Sequence, residues 1–375
     1  MKIVQVLTYL SADAAYGGPV AVARSQCEEL ARRGHEVHLI TGWDGVARTE
    51  LPGVQVHRHP IRQLPGLGFA GFYSPSLWRD VRALAADADV VHLHYARDLI
   101  QLPVGRLAAT APLVLQAHGM IRPDTRRSAR LLDRAFTRPT YRRAALHLAL
   151  TDQEVDDLPL VGTVDASRIR RIRNGVALAE RPAAVAVRTP RVVYVARLHE
   201  RKRPVAFVEA AAEVLARGIE AEFSLYGPDS GEGPAVREAI ERLGIGHAVH
   251  YRGPLAPEKV PAVLGTSHVY VLPSRAEPFP MSLLEAMAHG LPSVITDDTG
   301  ISAELAERGA AMVTDGSPRA MGDAIATLLE DRAAWRRLHT TARATIEERF
   351  SPGAVADALE SYYTEAMTTG RATAR

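Results

Sequence analysis

Short apolar runs of strand length alternate with helical patterns throughout this chain, and no other feature restricts its fold as strongly. In the first half the runs are KIVQVLTYL, HEVHLIT, VQVHRH, DVVHLHY, PLVLQAH and ALHLAL. An amphipathic pattern from about Pro19 to Arg33 separates the first two runs. Strands that alternate with helices form a parallel sheet with crossover helices, so the first half is predicted to be an α/β domain.

The second half repeats this alternation. Its apolar runs are RVVYVAR, AEFSLYG, HAVHYRG, HVYVLPS and LPSVITD, and helical patterns lie near 204–217, 233–244, 257–265 and 281–290. The segment Glu180–Pro190 has no periodicity and is typical of a connection. We predict a first domain over residues 1–180, a second over 181–351, and a final helix over 352–375 that packs back toward the first domain. Pro352 separates this helix from the one before it.

The composition excludes several classes of protein. Hydrophobic residues make up 47% and charged residues 23% of the 375, which is the balance of a soluble globular protein and not of a fibrous one. The single cysteine, Cys27, excludes an intrachain disulfide and a cysteine-based zinc site. Because no run of about 18 apolar residues is present, we predict a cytoplasmic protein, with peripheral contact at the inner face of a membrane as the alternative.

Ligands of open α/β sheets bind beyond the carboxyl ends of the strands. Six segments rich in polar residues or glycine follow strands here: Tyr16–Pro19, Tyr95–Asp98, His118–Met120, Arg197–Lys202, Gly253–Leu255 and Ser274–Met281. We therefore expect the functional residues of both domains to lie in these segments.

The most informative segment is SRAEPFPMSLLEAMAHGLPSVI. Glu277 precedes a helix that Pro280 is predicted to open, and the N–H groups of Met281 and Ser282 would form an anion site suited to a diphosphate. Glu285 lies inside this otherwise apolar helix, where its two oxygens can reach adjacent hydroxyls such as those of a ribose. The alternative is that both glutamates are solvated acids at helix ends.

A second segment, VARLHERKRP, carries two cations. Arg197 ends a strand, and Lys202, one of only three lysines, stands just before a helix that Pro204 can open. An arginine grips phosphate oxygens through two donors and a lysine supplies a compact charge, so together they suit a diphosphate. The alternative is a basic solvated loop, since Arg201 and Arg203 lie there too.

The first half offers weaker signals. Gly17 and Gly18 remove side-chain bulk where backbone can approach a phosphate or sugar, although any tight turn can use a glycine pair. His118 follows a strand and can donate to a sugar hydroxyl or shuttle a proton, or it is a structural histidine. Neither the other histidines nor Asp297–Asp298 have metal-ligand spacing, so no metal site and no cofactor are predicted.

Taken in order, several motifs resemble the family-4 glycosyltransferases, the retaining group of the GT-B fold. They are Gly17-Gly18, His118-Gly119-Met120, Asn174-Gly175, Arg197 with Lys202, and Glu277 with Glu285 in EPFPMSLLEAMAHGLP. The resemblance implies two Rossmann-like, doubly wound α/β domains that face a central cleft. It implies an enzyme of the hexosyltransferase type, which uses a nucleoside-diphosphate sugar with UDP or GDP and needs no metal.

The resemblance also implies roles for individual residues. Arg197 and Lys202 would hold the donor diphosphate, Glu285 the ribose, and Glu277 the sugar hydroxyls near the anomeric carbon. His118 would face the reacting sugar, so the catalytic pair is His118 and Glu277. The remaining donor-side residues are Gly17, Gly18, Leu255, Phe279, Met281 and Ser282, and the acceptor-side residues are Tyr95, Arg97 and Asn174.

One position departs from the family pattern. Pro280 stands where similar proteins usually have glycine, so one N–H is missing from the donor-sugar loop and the loop is stiffer. In the family-like mechanism the leaving phosphate deprotonates the incoming hydroxyl on the same face of the sugar. The protein residues then act by charge stabilisation and positioning.

The acceptor is a polysaccharide, a lipid-linked sugar or a small glycoside. Six arginines are spaced four apart from Arg122 to Arg142, and Arg127 and Arg143 lie beside them. Such a basic face can bind an anionic membrane, although a solvated arginine-rich helix has the same pattern. No nucleic-acid partner is expected. Two rival functions remain: a sugar-nucleotide epimerase of the same fold, and a two-lobed solute-binding protein without enzymatic activity.

Overall fold

The structure, a computed structural model, describes residues 1–10, 17–46, 50–108, 110–121, 123, 126–179 and 189–373. The chain divides into two compact units, Met1–Gly175 together with Pro352–Arg375, and Val176–Ser351. The predicted domain boundary at residue 180 and most of the predicted connection, Glu180–Pro190, lie outside the described residues.

A parallel sheet of seven strands forms the centre of the first unit, in the order β3-β2-β1-β6-β7-β8-β9. Two short strands, β4 and β5, pair antiparallel beside it. The strands are β1 Lys2–Leu10, β2 Glu36–Trp43, β3 Val54–Pro60, β4 Arg62–Gln63, β5 Phe72–Tyr73, β6 Val90–His94, β7 Leu113–Gln116, β8 Leu146–Ala149 and β9 Ile169–Arg171.

The second unit has a parallel sheet of six strands in the order β12-β11-β10-β13-β14-β15. Its strands are β10 Arg191–Val195, β11 Glu222–Tyr226, β12 Val249–Gly253, β13 Val269–Leu272, β14 Ser293–Thr296 and β15 Met312–Thr314. Each predicted apolar run coincides with one of the parallel strands, so the α/β prediction is confirmed for both halves. In both sheets the strand order reverses beside the first strand, where ligands of doubly wound folds bind.

Crossover helices connect the strands of both sheets. In the first unit they are α1 Gly17–Arg32, α2 Pro75–Leu84, α3 Val104–Leu107, α4 Arg127–Leu132, α5 Arg138–Arg143 and α6 Asp152–Gly162. In the second unit they are α7 Pro204–Leu215, α8 Gly233–Arg242, α9 Val260–Gly265, α10 Met281–Ala288 and α11 Ser302–Glu307, and α12 Pro318–Glu330 and α13 Arg332–Thr345 follow the last strand. None of the helices within the described ranges is both long and apolar enough to cross a membrane.

Both faces of the first sheet are buried in its central part. Neighbouring residues of a strand point to opposite faces, so a pair of them reports on both. Ile3 belongs to one apolar cluster and Val4 to another, and both are fully buried. This explains why central strands such as β1 and β7 are mainly apolar along their length, whereas β3, which is partly exposed, alternates apolar and polar residues.

The last helix, α14 Pro352–Thr373, belongs to the first unit. Its Tyr363 is fully buried in the cluster that contains Ile3. On the surface Arg33, the residue after α1, donates to the Gly353 carbonyl over 2.7 Å and pairs with Asp357 over 2.6 Å. An apolar anchor and ionic contacts thus fix α14 against α1.

Candidate active site

In the second unit, Glu277 lies in the loop between β13 and α10 and is only 6% exposed. Its N–H donates to the Asp298 carbonyl over 3.2 Å, and its own carbonyl accepts from the Gly300 N–H over 2.8 Å. The Asp298 carboxylate also accepts from the Ala276 N–H over 2.9 Å. The segment that follows β14 therefore fixes the backbone that carries the Glu277 carboxylate.

Two unusual backbone positions make this close approach possible. A Cβ atom on Gly300 would lie 2.3 Å from the Pro278 carbonyl oxygen, so only glycine fits there. Ala276 adopts a φ of 45°, a region that residues other than glycine rarely occupy, and its bond to Asp298 holds it there. Asp298 was not predicted as a functional residue. Its position at the end of the neighbouring strand was the only available signal of its supporting role.

Helix α10 follows this loop and begins at Met281. Pro280 was predicted to occupy the first turn, but it is the residue before the helix, and its carbonyl accepts from the N–H groups of Leu283 and Leu284. The Ser282 hydroxyl bonds to the Tyr270 hydroxyl over 2.7 Å. The first N–H groups of a helix have no partner within it, so this end of α10 suits an anion.

Lys202 reaches the same loop from the end of β10, the strand next to β13 in the sheet. It ends a short 3₁₀ turn after β10, and α7 begins two residues later at Pro204, as predicted. Its Nζ lies 2.5 Å from Glu277 Oε2, and the two side chains are only 15% and 7% exposed. The structure therefore joins two residues that lie 75 positions apart in the sequence and were predicted as separate parts of one site.

Arg197 is not part of this ion pair. Arg197 is an exposed residue. Its backbone carbonyl accepts from the Tyr194 hydroxyl over 3.0 Å and from the His199 N–H over 2.9 Å. The backbone of the loop is thus fixed, while the guanidinium remains accessible for a ligand phosphate.

The other predicted donor residues of this unit differ in exposure. Glu285 is partly buried on α10, and burial raises the pKa of its carboxyl above the ordinary value. Leu255 is also partly buried, after β12, whose last residue Gly253 accepts from the Gly227 N–H over 2.9 Å. Phe279 is 8% exposed, and its ring centroid lies 6.2 Å from that of Phe350. In this conformation Phe279 is a packing residue.

In the first unit the glycine pair occupies a helix instead of a loop. Helix α1 begins at Gly17, about two residues before the predicted start, so Gly17 and Gly18 form its first turn. A Cβ atom on Gly18 would have no neighbour within 4 Å among the described atoms. Space and the N–H groups of the first turn are therefore both present at this helix end.

His118 and Gly119 form a turn after β7 in which both residues have positive φ, 54° and 71°. The Gly119 N–H donates to Glu154 Oε1 over 2.9 Å, and the Leu150 N–H donates to Oε2 of the same carboxylate over 2.7 Å. The His118 ring bonds through Nε2 to His94 Nδ1 over 2.8 Å. Glu154 was not predicted as a functional residue, and it holds the backbone of the turn that carries His118.

The His118 ring is neutral at physiological pH. Desolvation lowers its pKa to about 3, and burial lowers the pKa of His94 well below the ordinary value. A general base works best when its pKa is near the working pH. A role as a proton shuttle is therefore less favourable for His118 than a hydrogen bond between its neutral ring and a sugar hydroxyl.

The three predicted acceptor-side residues are held in different surroundings. Tyr95 is fully buried, with its hydroxyl 3.5 Å from Thr137 Oγ1, so its side chain is part of the core. Arg97 forms two bonds of 2.9 Å with the buried Asp133 carboxylate. Asn174 is 6% exposed. The Tyr95 and Arg97 side chains therefore bind inside the first unit, to Thr137 and Asp133.

The arginine-rich stretch is two short helices instead of one continuous face. A π-helical turn, Asp133–Thr137, lies between them, just before Pro139. Arg138 donates to the Val161 carbonyl, and Arg143 donates to three backbone carbonyls over 2.5 to 3.1 Å. These two arginines therefore bind neighbouring loops, and Arg122 lies outside the described residues.

Histidine and acidic residues come close to one another in several places, but not as a metal site. Within the described ranges, no group of three histidine, cysteine, aspartate or glutamate residues is arranged to hold a metal ion. The ionic centre of the second unit is the pair of Lys202 and Glu277 instead.

Two family models match the chain in sequence. "Glycosyltransferase Family 4" matches residues 16–180, and "Glycosyl transferases group 1" matches residues 189–331. A D-inositol 3-phosphate glycosyltransferase of Corynebacterium efficiens is 26% identical over 94% of this chain and 91% of its own length. An α-D-kanosaminyltransferase of Streptomyces kanamyceticus is 28% identical over 84% of this chain and 78% of its own length.

Solved structures share the fold along almost the whole chain. Anabaena HepE in complex with UDP aligns with a TM-score of 0.73 and 19% identity, covering 97% of this chain and 100% of that one. Sucrose-phosphate synthase from Thermosynechococcus elongatus aligns with a TM-score of 0.71 and 18% identity, covering 98% and 100%.

Proposed function

The chain belongs to the family-4 glycosyltransferases and has the GT-B fold, and from this we propose that it transfers a sugar, with retained configuration, from a nucleoside-diphosphate sugar to a hydroxyl. The observation that carries the proposal is the Lys202–Glu277 pair, placed where two strands of a parallel sheet end and α10 begins. An ammonium, a carboxylate and a helix N-terminus match the charges and hydroxyls of a diphosphate sugar.

In the proposed reaction the second unit binds the donor. The Lys202 ammonium and the exposed Arg197 offset the charge of the leaving diphosphate, which develops as the bond to the anomeric carbon breaks. Glu285 accepts from the ribose hydroxyls, and Glu277 accepts from hydroxyls of the sugar. The leaving phosphate takes the proton of the incoming hydroxyl, so no protein base is required.

Lys202 and Glu277 bind each other, and in the proposed reaction each must also bind the donor. Lys202 has three N–H donors and Glu277 can accept several hydrogen bonds, so each has capacity left after the one bond between them. The pair therefore orients both groups before binding, which reduces the entropy that donor binding must overcome.

UDP-sugars are the first donors to test, because HepE was solved with UDP and with UDP-glucose. The name of the first relative suggests one acceptor to test, D-inositol 3-phosphate, and the name of the second suggests one transferred sugar, an α-D-kanosaminyl group. A polysaccharide or lipid-linked acceptor stays the alternative.

The donor base can be identified by thermal unfolding in the presence of UDP, GDP, ADP or dTDP. A ligand that binds only the folded state at 100 times its Kd raises the free energy of unfolding by about 2.7 kcal/mol. We expect this rise with one of the first two nucleotides. Equal curves with all four would contradict a nucleotide-sugar enzyme.

Transfer is tested by incubating the matching nucleotide sugars with D-inositol 3-phosphate. NMR of the product gives its anomeric configuration, and inversion would contradict the proposed retention. Nucleotide release that is equally fast without any acceptor, together with free epimerised sugar, would favour the epimerase.

We also propose that transfer needs no divalent metal, because Lys202, Arg197 and the start of α10 supply positive charge where the diphosphate leaves. Activity that is unchanged by a chelator is the expected result. Loss of activity that magnesium or manganese restores would contradict it.

Contact with an anionic membrane through Arg122–Arg143 is retained as a subsidiary proposal. Arg138 and Arg143 already bind backbone carbonyls, so the exposed Arg130 and Arg134 are the better candidates for headgroups. Pelleting with phosphatidylserine vesicles at low salt tests this contact, and an unbound protein would exclude it.

A further inference from the structure

A chain of hydrogen-bonded side chains crosses the interior of the first unit and ends at His118. His118 Nε2 lies 2.8 Å from His94 Nδ1, and His94 Nε2 lies 2.9 Å from Gln5 Oε1. Gln5 Nε2 donates to the Tyr363 hydroxyl over 3.4 Å, and that hydroxyl lies 2.8 Å from His92 Nδ1. Apart from His118, which is partly exposed, every member is at most 1% exposed.

The sheet fixes the geometry of this chain. Gln5 of β1 is paired in register with His92 of β6, and His94, two residues further along β6, points to the same side. The rings of His92 and His94 stack with centroids 4.8 Å apart, and those of His94 and His118 stack at 5.1 Å. None of the three rings can rotate without losing packing and a hydrogen bond.

The direction of each hydrogen bond follows from the chemistry of the amide. With the Gln5 amide oriented as in the structure, its oxygen can only accept, so the His94 proton is on Nε2. The ring of His94 is neutral, because burial lowers its pKa well below the ordinary value. Its Nδ1 is therefore an acceptor, and the bond to His118 needs a proton on His118 Nε2.

The other end of the amide is consistent with this direction. Gln5 Nε2 can only donate, so the Tyr363 oxygen accepts from it and gives its own proton to His92 Nδ1. The Tyr363 hydroxyl can donate as well as accept, so it completes the chain, and the orientation of the Gln5 amide sets the direction of every bond. The C-terminal helix contributes in this way to the state of a residue at the end of β7.

We propose that His94, oriented by Gln5 and Tyr363, is a positioning residue that fixes the neutral ring of His118 as the Nε2–H tautomer and leaves Nδ1 to accept a hydrogen bond from a sugar hydroxyl. The second half of this statement rests on the proposed function. The first half is a property of the protein alone and is measured without any substrate.

The tautomer determines what the site recognises. A ring with its proton on Nδ1 would donate to a ligand oxygen. A carboxylate or a carbonyl could then bind there as the acceptor. A ring with a lone pair on Nδ1 requires a donor, so it favours a hydroxyl and disfavours an ionised carboxylate at the same place.

The test uses the full chain labelled with ¹⁵N-histidine. Long-range ¹H–¹⁵N spectra distinguish the two neutral tautomers, and the signals of His118 are assigned as those that His118→Phe removes. We expect the Nε2–H tautomer in the wild-type protein. The Nδ1–H tautomer, or a charged ring at neutral pH, would overturn the proposal without any further variant.

Two substitutions then test His94 itself. His94→Phe keeps a ring but removes the acceptor, and we expect His118 to lose the pure Nε2–H signature and kcat to fall about tenfold with little change in KM for the donor. His94→Asn places an amide oxygen near the position of Nδ1 and should restore most of both properties. His147→Phe is the matched control, a histidine of β8 that is 1% exposed and bonds only to the Tyr141 carbonyl in the described structure.

The outcomes separate the two parts of the argument. An unchanged His118 tautomer in a folded His94→Phe protein would overturn the positioning role. A changed tautomer with unchanged kcat would show that Nδ1 does not contact the sugar. If the tautomers behave as expected but the wild-type protein turns over no nucleotide sugar, the proposed function fails and only the tautomer assignment stands.

Discussion

The two units hold their polar side chains in opposite ways at the carboxyl ends of similar sheets. In the second unit Lys202 and Glu277 form a mostly buried ion pair, and the nearby loop residue Arg197 is exposed. In the first unit His94 and His118 are neutral and bond to each other inside the fold. Charges that remain available suit a charged diphosphate, whereas fixed neutral groups suit the hydroxyls of a sugar.

The cost of each arrangement also differs. The Lys202–Glu277 pair is mostly buried, so its net contribution to stability is small, but removal of the lysine leaves a buried, unpaired carboxylate, which is strongly unfavourable. A buried neutral chain contributes to stability only if every member finds its partner. Substitutions in either unit should therefore affect stability as well as catalysis, and the effect on catalysis should be larger in the second unit.

The largest effect is expected for Lys202→Ala. It removes the positive charge that offsets the leaving diphosphate, so kcat/KM should fall by about 100- to 1,000-fold. Steady-state transfer assays measure the loss, and thermal unfolding shows whether the variant is folded. Lys259→Ala, at an exposed lysine of the same unit, is the matched control. Near-normal turnover by Lys202→Ala would remove the main difference between the units.

The second prediction concerns pH and the first unit. Burial raises the pKa of Asp98 to about 7, so its contribution to stability is complete below the ordinary range and is lost as the pH rises through 7. In Asp98→Asn, the amide oxygen can accept from the N–H groups of Ile100 and Gln101, as the carboxylate does. The variant should therefore gain about 3 kcal/mol relative to the wild type between about pH 4 and pH 8.

Urea unfolding at a series of pH values measures this gain. A difference between the two proteins that does not depend on pH would show that Asp98 is ionised in the fold. The first unit would then hold a buried charge, and the comparison with the second unit would weaken.

The third prediction tests the support of the His118 turn. In Glu154→Gln the new amide nitrogen must face one of two N–H donors, from Gly119 or Leu150, so one buried hydrogen bond is lost. We expect the free energy of unfolding to fall by about 2 kcal/mol and kcat to fall with it. Asp157→Asn, one turn along α6, serves as the control. If Glu154→Gln lowers stability but leaves kcat unchanged, the turn has no part in transfer.

The smallest effect is expected for Glu285→Gln. An amide oxygen accepts weaker hydrogen bonds from ribose hydroxyls than a carboxylate does. The Kd for the nucleotide, measured by calorimetric titration, should therefore rise about tenfold. Burial raises the pKa of Glu285, so the ionised group destabilises the free protein as the pH rises. The variant should therefore unfold at a slightly higher temperature, by about 1–3 °C. The exposed acid Glu307 provides the control variant Glu307→Gln.

The contrast between the units was only partly visible in the sequence. Lys202 and Glu277 were both singled out, because unusual residue types at strand ends are local features. The support of Glu277 by Asp298 and Gly300 was missed, because it depends on how two neighbouring strands end side by side. The supporting role of Glu154 was missed for the same reason. Its carboxylate accepts a hydrogen bond from the Gly119 N–H, 35 positions earlier in the chain.

Some expectations changed for similar reasons. Tyr95 was predicted on the acceptor side, but it follows a strand that is buried on both faces, and its ring is part of the core. The arginine pattern predicted one broad basic face. Arg138 and Arg143 instead satisfy backbone carbonyls of neighbouring loops, which no spacing rule reveals.

The sequence by itself determined the two parallel sheets, the strand ends as places of function, and the family, because apolar periodicity and short motifs are properties of neighbouring residues. Only the tertiary structure decided which of those residues meet. The bond from Gln5 to Tyr363 joins positions 358 apart, and the state of the His118 ring depends on it. Such partners are set by strand register and helix packing, and these form only when the whole hydrophobic core is assembled.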